Sequence, residues 1–312
     1  MKNTIRYVFL LLAGLVAFTG RAQNTVAQWD FKNGDLTATV GQPLQYMGGA
    51  AAGTKFSTTT SLGLPDINGT PANVMGFPKT TPDQGYLMPV PGPIPAGSVG
   101  VNDWTLIMDV LIPGASVGNK IALLEIIDAS LVSSPGAADA EFYFQGGGLS
   151  YNGNPSGTIN GDTWHRIAIV SDNSNGQKIY KYIDGVKVGE QGNGGPETID
   201  GKWALDSLGG TARLFNDDND ETAAGFVSSI QLRDRPLAPG QIFAIGGATA
   251  EGIPTVLPKV PSFPEQWIPA SEFANRDAEL GLVINAGDTT ISDSSIVLKL
   301  NGEVKTAKIT RT

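Results

Sequence analysis

The stretch from Gly161 to Gly185 constrains the fold most tightly. Residues 164–170 are bulky or β-branched, which favours a strand, whereas residues 172–176 (DNSNG) have the composition of a loop. A second strand-like run, residues 179–183, ends at the dipeptide 184–185, Asp-Gly. Both central residues of a two-residue hairpin turn need positive φ, which Asp-Gly tolerates. The stretch therefore predicts antiparallel strands folded on one another.

Composition extends this prediction to most of the chain. The 312 residues are 41% hydrophobic and 16% charged, with 40 glycines and 20 prolines. Such a chain has enough apolar surface for a core and the turn residues of a loop-rich all-β protein. The longest strand pattern, residues 103–113, places bulky side chains on one face and a mixed set on the other. About a dozen short strands and one short helix at 236–247 predict a jelly-roll β-sandwich.

The first residues have the pattern of a secretory signal peptide. Lys2 and Arg6 form its basic end, residues 8–18 its apolar segment, and cleavage is predicted after Ala22. The alternative is an uncleaved anchor helix. We therefore expect a secreted, periplasmic or cell-surface protein with no membrane association after cleavage. The net charge of −9 argues against binding nucleic acid or an anionic membrane surface, and the lack of cysteine excludes disulfides.

Four regions follow from these patterns: a signal peptide (1–22), a β-sandwich (23–249), a proline-rich linker (250–264) and a second β region (265–312). The last region is too short to close a sandwich of its own. We expect it to begin a further module of the same polypeptide. The alternative is that its strands dock on the first domain.

Several sequence motifs resemble laminin G-like domains of the concanavalin A-like superfamily. They are GDTWHRIAIV, YKYIDGVKVG and a segment that contains VSSIQLRDRPLAPGQIFAIGG, and the resemblance covers about residues 24–249. The motif positions are Trp164, His165, Tyr182, Asp184, Gly185, Ser228, Ile230, Arg233, Leu237 and Gly247. The resemblance implies a concanavalin A-like sandwich that binds glycans or proteins. Residues 282–310 resemble the first strands of bacterial immunoglobulin-like modules, which implies a partial immunoglobulin-like segment.

An acidic loop is the candidate metal site. Asp217, Asp218, Asp220 and Glu221 offer the clustered oxygens that calcium requires, although the spacing does not match an EF-hand. The alternative is a solvated loop without a metal. Calcium is therefore the one cofactor that the sequence predicts.

Three aromatic residues near turns are the candidate ligand-binding residues. Tyr86, Tyr151 and Trp203 would stack on a sugar if their rings were exposed, whereas core packing is the competing interpretation. His165, the single histidine, lies within a strand beside Trp164, where the resemblance implies a structural role; the alternative is a base or metal ligand.

The sequence offers no catalytic residues. Glu125 and Asp128 form the nearest carboxylate pair, but residues three apart point to opposite faces of a strand. We therefore predict a secreted, non-catalytic recognition or adhesion module whose partner is a glycan or an extracellular protein. One alternative is an accessory domain of a larger secreted hydrolase, such as a phosphoesterase or glycosidase. Another is that the sandwich is itself a glycosidase.

Overall fold

A computed structural model describes most of the chain between residues 25 and 305. The described residues are 25–90, 100–125, 141–151, 153–172, 178–192, 204–205, 210–217, 221–258, 262–267, 281–285, 296, 298–300 and 303–305. The predicted signal peptide lies outside them. In this part of the chain, no helix is long and apolar enough to cross a bilayer.

The described elements are strands, one α-helix and three short 3-10 turns. The strands are β1 (Thr25–Trp29), β2 (Gln45–Met47), β3 (Lys55–Thr58), β4 (Asn73–Phe77), β5 (Gly85–Pro89), β6 (Trp104–Leu111), β7 (Ile121–Glu125), β8 (Glu141–Gln145), β9 (Gly148–Tyr151), β10 (Trp164–Asp172), β11 (Lys178–Ile183), β12 (Val186–Gly192), β13 (Thr211–Leu214), β14 (Gly225–Arg233), β15 (Ser262–Trp267), β16 (Gly281–Asn285), β17 (Leu298–Leu300) and β18 (Glu303–Lys305). The helix α1 is Pro239–Ile245, and the 3-10 turns are Ala50–Ala52, Thr60–Leu62 and Gly114–Ser116.

Two antiparallel sheets stack into a sandwich. The large sheet has the order β12-β11-β10-β6-β14-β4-β3, with β1 also pairing β14. The smaller sheet has the order β2-β5-β13-β7-β8-β9. Their inner faces share one hydrophobic core, to which Trp104 and Ile167 contribute from the large sheet and Phe142 and Leu214 from the small one. The predicted fold class, an all-β jelly-roll sandwich with a short helix, is confirmed.

Strand β6 shows how the sequence produces this layering. Its side chains alternate as the sequence predicts, with Leu106, Met108 and Val110 in the core between the sheets. Ile107 points the other way, into a second apolar cluster that includes Ile242 and other residues of the helix region. Both faces of the strand are buried, because α1 and the chain after it cover the outer face of the large sheet.

The predicted turns are also confirmed. Asp184 and Gly185 have φ of 50° and 81°, as a two-residue hairpin between β11 and β12 requires. Helix α1 begins at Pro239 and is followed by Gly246 at φ 57°. A methyl group on Gly185 would lie 3.1 Å from the Gly246 Cα, so the hairpin packs directly against the end of the helix.

The chain after α1 contains the first residues of the predicted linker, whose bounds stay a prediction. Residues 246–257, which we call the strap, have no helix or strand, yet their carbonyls accept hydrogen bonds from side chains of the large sheet. Gln28 Nε2 donates to Ile253 O at 2.9 Å, and Arg233 Nη2 donates to Pro254 O at 2.9 Å. The strap therefore contacts the large sheet at least to Thr255, whose carbonyl accepts a bond from Thr25.

Two further antiparallel pairs follow the strap. Strand β15 pairs with β16, and β17 pairs with β18 across residues 301–302, where the sequence predicts a hairpin. The immunoglobulin-like character of this region stays a prediction.

Candidate functional site

The turn between β11 and β12 is bonded to the neighbouring strand β10. The backbone N–H of Asp184 donates to Arg166 O at 2.7 Å, and its Oδ1 accepts the N–H of Arg166 at 2.9 Å. The side chain of Asp184 is about 40% exposed. Burial acts to raise the pKa of Asp184, but hydrogen bonds from His165 and the Arg166 amide outweigh it and hold this pKa below its usual value. Asp184 is therefore an ionised, fixed acceptor at neutral pH.

His165 lies directly behind this carboxylate. Its Nδ1 is 2.6 Å from Asp184 Oδ2, and its Nε2 accepts the backbone N–H of Asn160 at 3.0 Å. The ring is almost fully buried. Both nitrogens therefore have protein partners, and the ring joins the hairpin turn to the loop that precedes β10.

Trp164 lies on the opposite face of β10 from His165 and is partly exposed. Its indole Nε1 donates to Pro65 O at 2.9 Å, and its ring packs beside a small cluster formed by Ile67, Ala72 and Ala248. Asn68 Nδ2 donates to Ala248 O at 3.1 Å. These contacts bring the loop at residues 65–70 against the beginning of the strap.

A surface groove of about 450 Å³ opens where these elements meet. It is lined by an aromatic ring, an amide, a carboxylate and the backbone of the strap: Asn68, Trp164, Asp184, Ile245, Gly247, Ala248 and Thr249. Among the described residues that line the groove, Asp184 is the one that carries a charge. The groove therefore combines an apolar surface with hydrogen-bonding groups around a single negative charge.

A buried ion pair between Arg166 and Asp109 lies beneath the groove and contacts the backbone beside it. Arg166 and Asp109 are 2% and 0% exposed, and their side chains form two hydrogen bonds, Nε to Oδ1 at 2.6 Å and Nη2 to Oδ2 at 2.8 Å. Arg166 also donates to Ile245 O at 2.6 Å and to Gly252 O at 3.1 Å. The guanidinium thus fixes the end of α1 and the strap over the sheet, and its charge is matched by Asp109 rather than offered to the groove.

Of the three aromatic candidates from the sequence, Tyr86 is the one whose side chain the structure describes, and it does not line this groove. Tyr86 is fully buried in the core, and its hydroxyl lies 2.6 Å from Thr54 Oγ1, so it has no exposed ring face for a sugar. Burial raises the pKa of Tyr86 to about 12. The side chain of Tyr151 and all of Trp203 lie outside the described residues.

The acidic loop is only partly described. Asp217 is buried and its Oδ2 accepts the backbone N–H of Glu221 at 2.8 Å, while Glu221 forms an ion pair with Lys120. Asp218 and Asp220 lie outside the described residues. Within the described part of the chain, no group of three acidic or histidine side chains is placed to hold a metal. Calcium binding stays a prediction that depends on the two residues outside this part.

Of the carboxylate pair Glu125 and Asp128, the structure describes only Glu125. Glu125 is 1% exposed, and its carboxylate lies 3.6 Å from Arg213 Nη1. Asp128 lies outside the described residues. Glu125 is therefore an enclosed group beside a cation and does not open onto the groove.

The comparison with protein families agrees with this geometry. Residues 101–243 match the family model of the concanavalin A-like lectin/glucanases superfamily. The matched segment begins just before β6 and ends within α1, so it includes Trp164, His165 and Asp184. The laminin G-like, concanavalin A-like resemblance of this segment is thereby supported. A comparison with curated proteins finds no match.

Solved structures similar to this chain include one domain of an arabinanase and the binding domain of a toxin. Domain 4 of an extracellular arabinanase from Geobacillus stearothermophilus, solved with arabinotriose, has a TM-score of 0.44 at 18% identity, over 71% of this chain and 98% of that one. The binding domain of botulinum neurotoxin serotype D has a TM-score of 0.45 at 11% identity, over 70% of this chain and 50% of that one. Similarity of this degree does not identify a ligand for this chain.

Proposed function

We propose that the sandwich is a secreted, non-catalytic recognition module that binds an extracellular glycan in the groove beside Trp164 and Asp184. The observation that carries the proposal is the convergence of an aromatic ring, an amide and an ionised carboxylate on one groove. Sugars present C–H faces that pack on aromatic rings and hydroxyls that donate to carboxylates. A volume of about 450 Å³ also lies within the usual range for small-ligand sites.

The size of the groove favours a glycan over a protein partner. A stable protein interface buries about 800 Å² on each side and needs a much broader surface. One or a few sugar units would occupy the groove itself. An extracellular protein that presents a single protruding side chain is the remaining alternative, and it is an outcome of the binding experiment below.

The carboxylates of the site support a non-catalytic role. Glycosidases with two catalytic carboxylates hold them about 5–9.5 Å apart across the scissile bond. Among the described residues that line the groove, Asp184 is the single carboxylate. Glu125 is buried beside Arg213 in the other sheet. Neither arrangement supplies an acid and a nucleophile to one substrate.

Binding of the full chain to an immobilised panel of neutral and acidic oligosaccharides tests the proposal. We expect Asp184→Asn to weaken binding at least about tenfold, because it removes the charge while asparagine still tolerates positive φ. The matched control is Asp162→Asn. Asp162 also has positive φ, 55°, and accepts a backbone N–H, that of Gly114, but it does not line the groove.

Three outcomes would overturn the proposal. The first is that no oligosaccharide on the panel binds. The second is that the Asp184 and Asp162 variants bind equally well while both melt as cooperatively as the wild type. The third is release of shortened sugars during incubation, detected by mass spectrometry, which would contradict the non-catalytic role.

A further inference from the structure

His165 connects the groove carboxylate to a loop outside the groove. One ring nitrogen, Nδ1, faces Asp184 Oδ2 at 2.6 Å, and the other, Nε2, faces the backbone N–H of Asn160 at 3.0 Å. An amide N–H can only donate, so Nε2 must accept and carries no proton. The proton of the neutral ring is then on Nδ1, where it is donated to Asp184. The Asp184 carboxylate and the Asn160 backbone amide thus define one tautomer of the neutral ring.

Protonation of the ring would disrupt the hydrogen bond at Nε2 but not the one at Nδ1. An imidazolium has a proton on each nitrogen, so Nε2–H would face the Asn160 N–H, donor against donor. The bond to Asp184 would persist and become charge-assisted. The predicted result is that residue 160 moves away from the ring, while the charge of Asp184 is matched by its new cationic neighbour.

We propose that His165 is a proton-sensitive positioning residue for the groove. In its neutral form it orients Asp184 as an acceptor for the ligand, and when protonated it releases Asn160 and offsets the charge of Asp184, so that binding weakens in acid. This regulatory role rests on the proposed function of the groove. It does not involve contact between His165 and the ligand, because His165 is not part of the groove lining.

In the part of the chain that the structure describes, three charged residues lie near the ring or follow it on its strand. Asp184 is its acidic partner from the β11–β12 turn. Arg166 follows it on β10, but its guanidinium is on the opposite face, paired with Asp109 of β6. Asp162, in the loop before β10, accepts the N–H of Gly114. Val110 is the residue paired with His165 on the neighbouring strand, and it is apolar. Protonation of His165 would therefore act chiefly through Asp184.

The proposed loss of ligand binding on protonation of His165 can be distinguished by experiment from unfolding of the protein in acid. Because the pKa of Asp184 is lowered in the folded state, its contribution to stability is present above the unfolded value of about 4 and is lost as the pH falls below it. The binding experiment below is therefore kept between about pH 8 and about pH 5, above the range in which Asp184 loses its contribution to stability, and the fold should remain intact there.

Nuclear magnetic resonance of the full chain tests the tautomer without a ligand. His165 is the single histidine, so its ring nitrogens give one set of signals. At about pH 8 we expect a protonated Nδ1 and an unprotonated Nε2, and on acidification the Asn160 amide should shift with the ring and lose protection from hydrogen exchange. A proton on Nε2 at about pH 8, or an Asn160 amide that does not respond, would overturn the proposal.

Binding to the neutral oligosaccharides of the same panel tests the consequence. We expect affinity to fall about fivefold or more between about pH 8 and about pH 5 in the wild type. In His165→Asn, which keeps a donor near the Nδ1 position but cannot gain a charge, the change should be less than about twofold. Equal pH dependence in both proteins would contradict the proposal. If no sugar binds, the proposed function fails, and the resonance experiment still decides the role of His165.

Discussion

Replacement of Arg166 should lower the free energy of unfolding of the sandwich by more than the loss of an exposed ion pair would. Arg166 is 2% exposed and forms two hydrogen bonds with Asp109, which is itself fully buried. In Arg166→Met the side chain keeps much of its volume, but Asp109 loses its cation and the carbonyls of Ile245 and Gly252 lose their donor. Removal of one partner of a buried ion pair costs about 3–5 kcal/mol. Since domains are stable by about 5–15 kcal/mol, the variant should fold with a small margin.

The loss in free energy of unfolding that Arg166→Met causes should increase with pH. Burial is the largest influence on Asp109 and raises its pKa, while the hydrogen bonds from Arg166 oppose the increase. Without Arg166 the folded-state pKa of Asp109 should rise further. A carboxyl group whose pKa is higher in the folded state binds more protons there, so the free energy of unfolding falls as the pH rises above about 4. The deficit of Arg166→Met should therefore be larger at about pH 8 than at about pH 5.

Urea unfolding followed by tryptophan fluorescence measures this deficit. The matched control is Lys178→Met, which removes an ion pair with Glu190 at the edge of the same sheet, where both side chains are about 40% exposed. That change should cost far less than Arg166→Met, because both charges of the exposed pair are solvated and screened. The double variant Asp109→Leu, Arg166→Met should recover the part of the deficit that comes from the unpaired charge. A deficit for Arg166→Met below about 1 kcal/mol, or one that shrinks from pH 5 to pH 8, would refute the reasoning.

Three further predictions concern other parts of the chain. Burial lowers the pKa of Lys181 to about 8, so the free energy of unfolding of the wild type should rise relative to Lys181→Met between about pH 8 and about pH 10, measured by urea unfolding. A chain that ends after Thr249 should melt at a lower temperature than one that ends after Pro258, because it lacks most of the strap; equal melting temperatures would show that the strap contributes nothing. EDTA should lower the melting temperature if the acidic loop holds calcium, and Asp218→Ala should remove that effect; a melt that EDTA does not change argues against a structural ion.

Local patterns in the sequence were sufficient to predict the two-layered architecture. The alternation in residues 104–111 predicts which side chains face the core, and the Asp184-Gly185 turn predicts a hairpin at the observed position. Both signals depend on neighbouring residues, since strand periodicity and turn conformation are local properties. The short helix was predicted for the same reason, from Pro239 at its start and Gly246 after its end.

Features that depend on distant contacts were not predicted. Prolines such as those of residues 86–97 are typical of a sheet edge or a connection, yet β5 lies between β2 and β13 in the interior of the smaller sheet, and Tyr86 is buried there. The strap has a proline-rich sequence typical of a linker, but side chains of the sheet, such as Arg233, bind its carbonyls. No local pattern records these bonds. The groove is equally long-range, because Asn68 and Ala248, which join across it, are 180 residues apart.

The structural role of the tryptophan and aspartate motifs and the function proposed for them involve the same region of the molecule. Trp164, His165, Asp184 and Gly247 are positions at which the sequence resembles laminin G-like domains, and the structure brings all four together at the groove or directly behind it. The same hydrogen bonds that close the hairpin onto β10 also orient the groove carboxylate. A large substitution at any of these positions would therefore disturb both the fold and the proposed binding. Conservative changes separate the two roles, since Asp184→Asn and His165→Asn alter charge or titration while they retain a polar side chain in the same turn or strand.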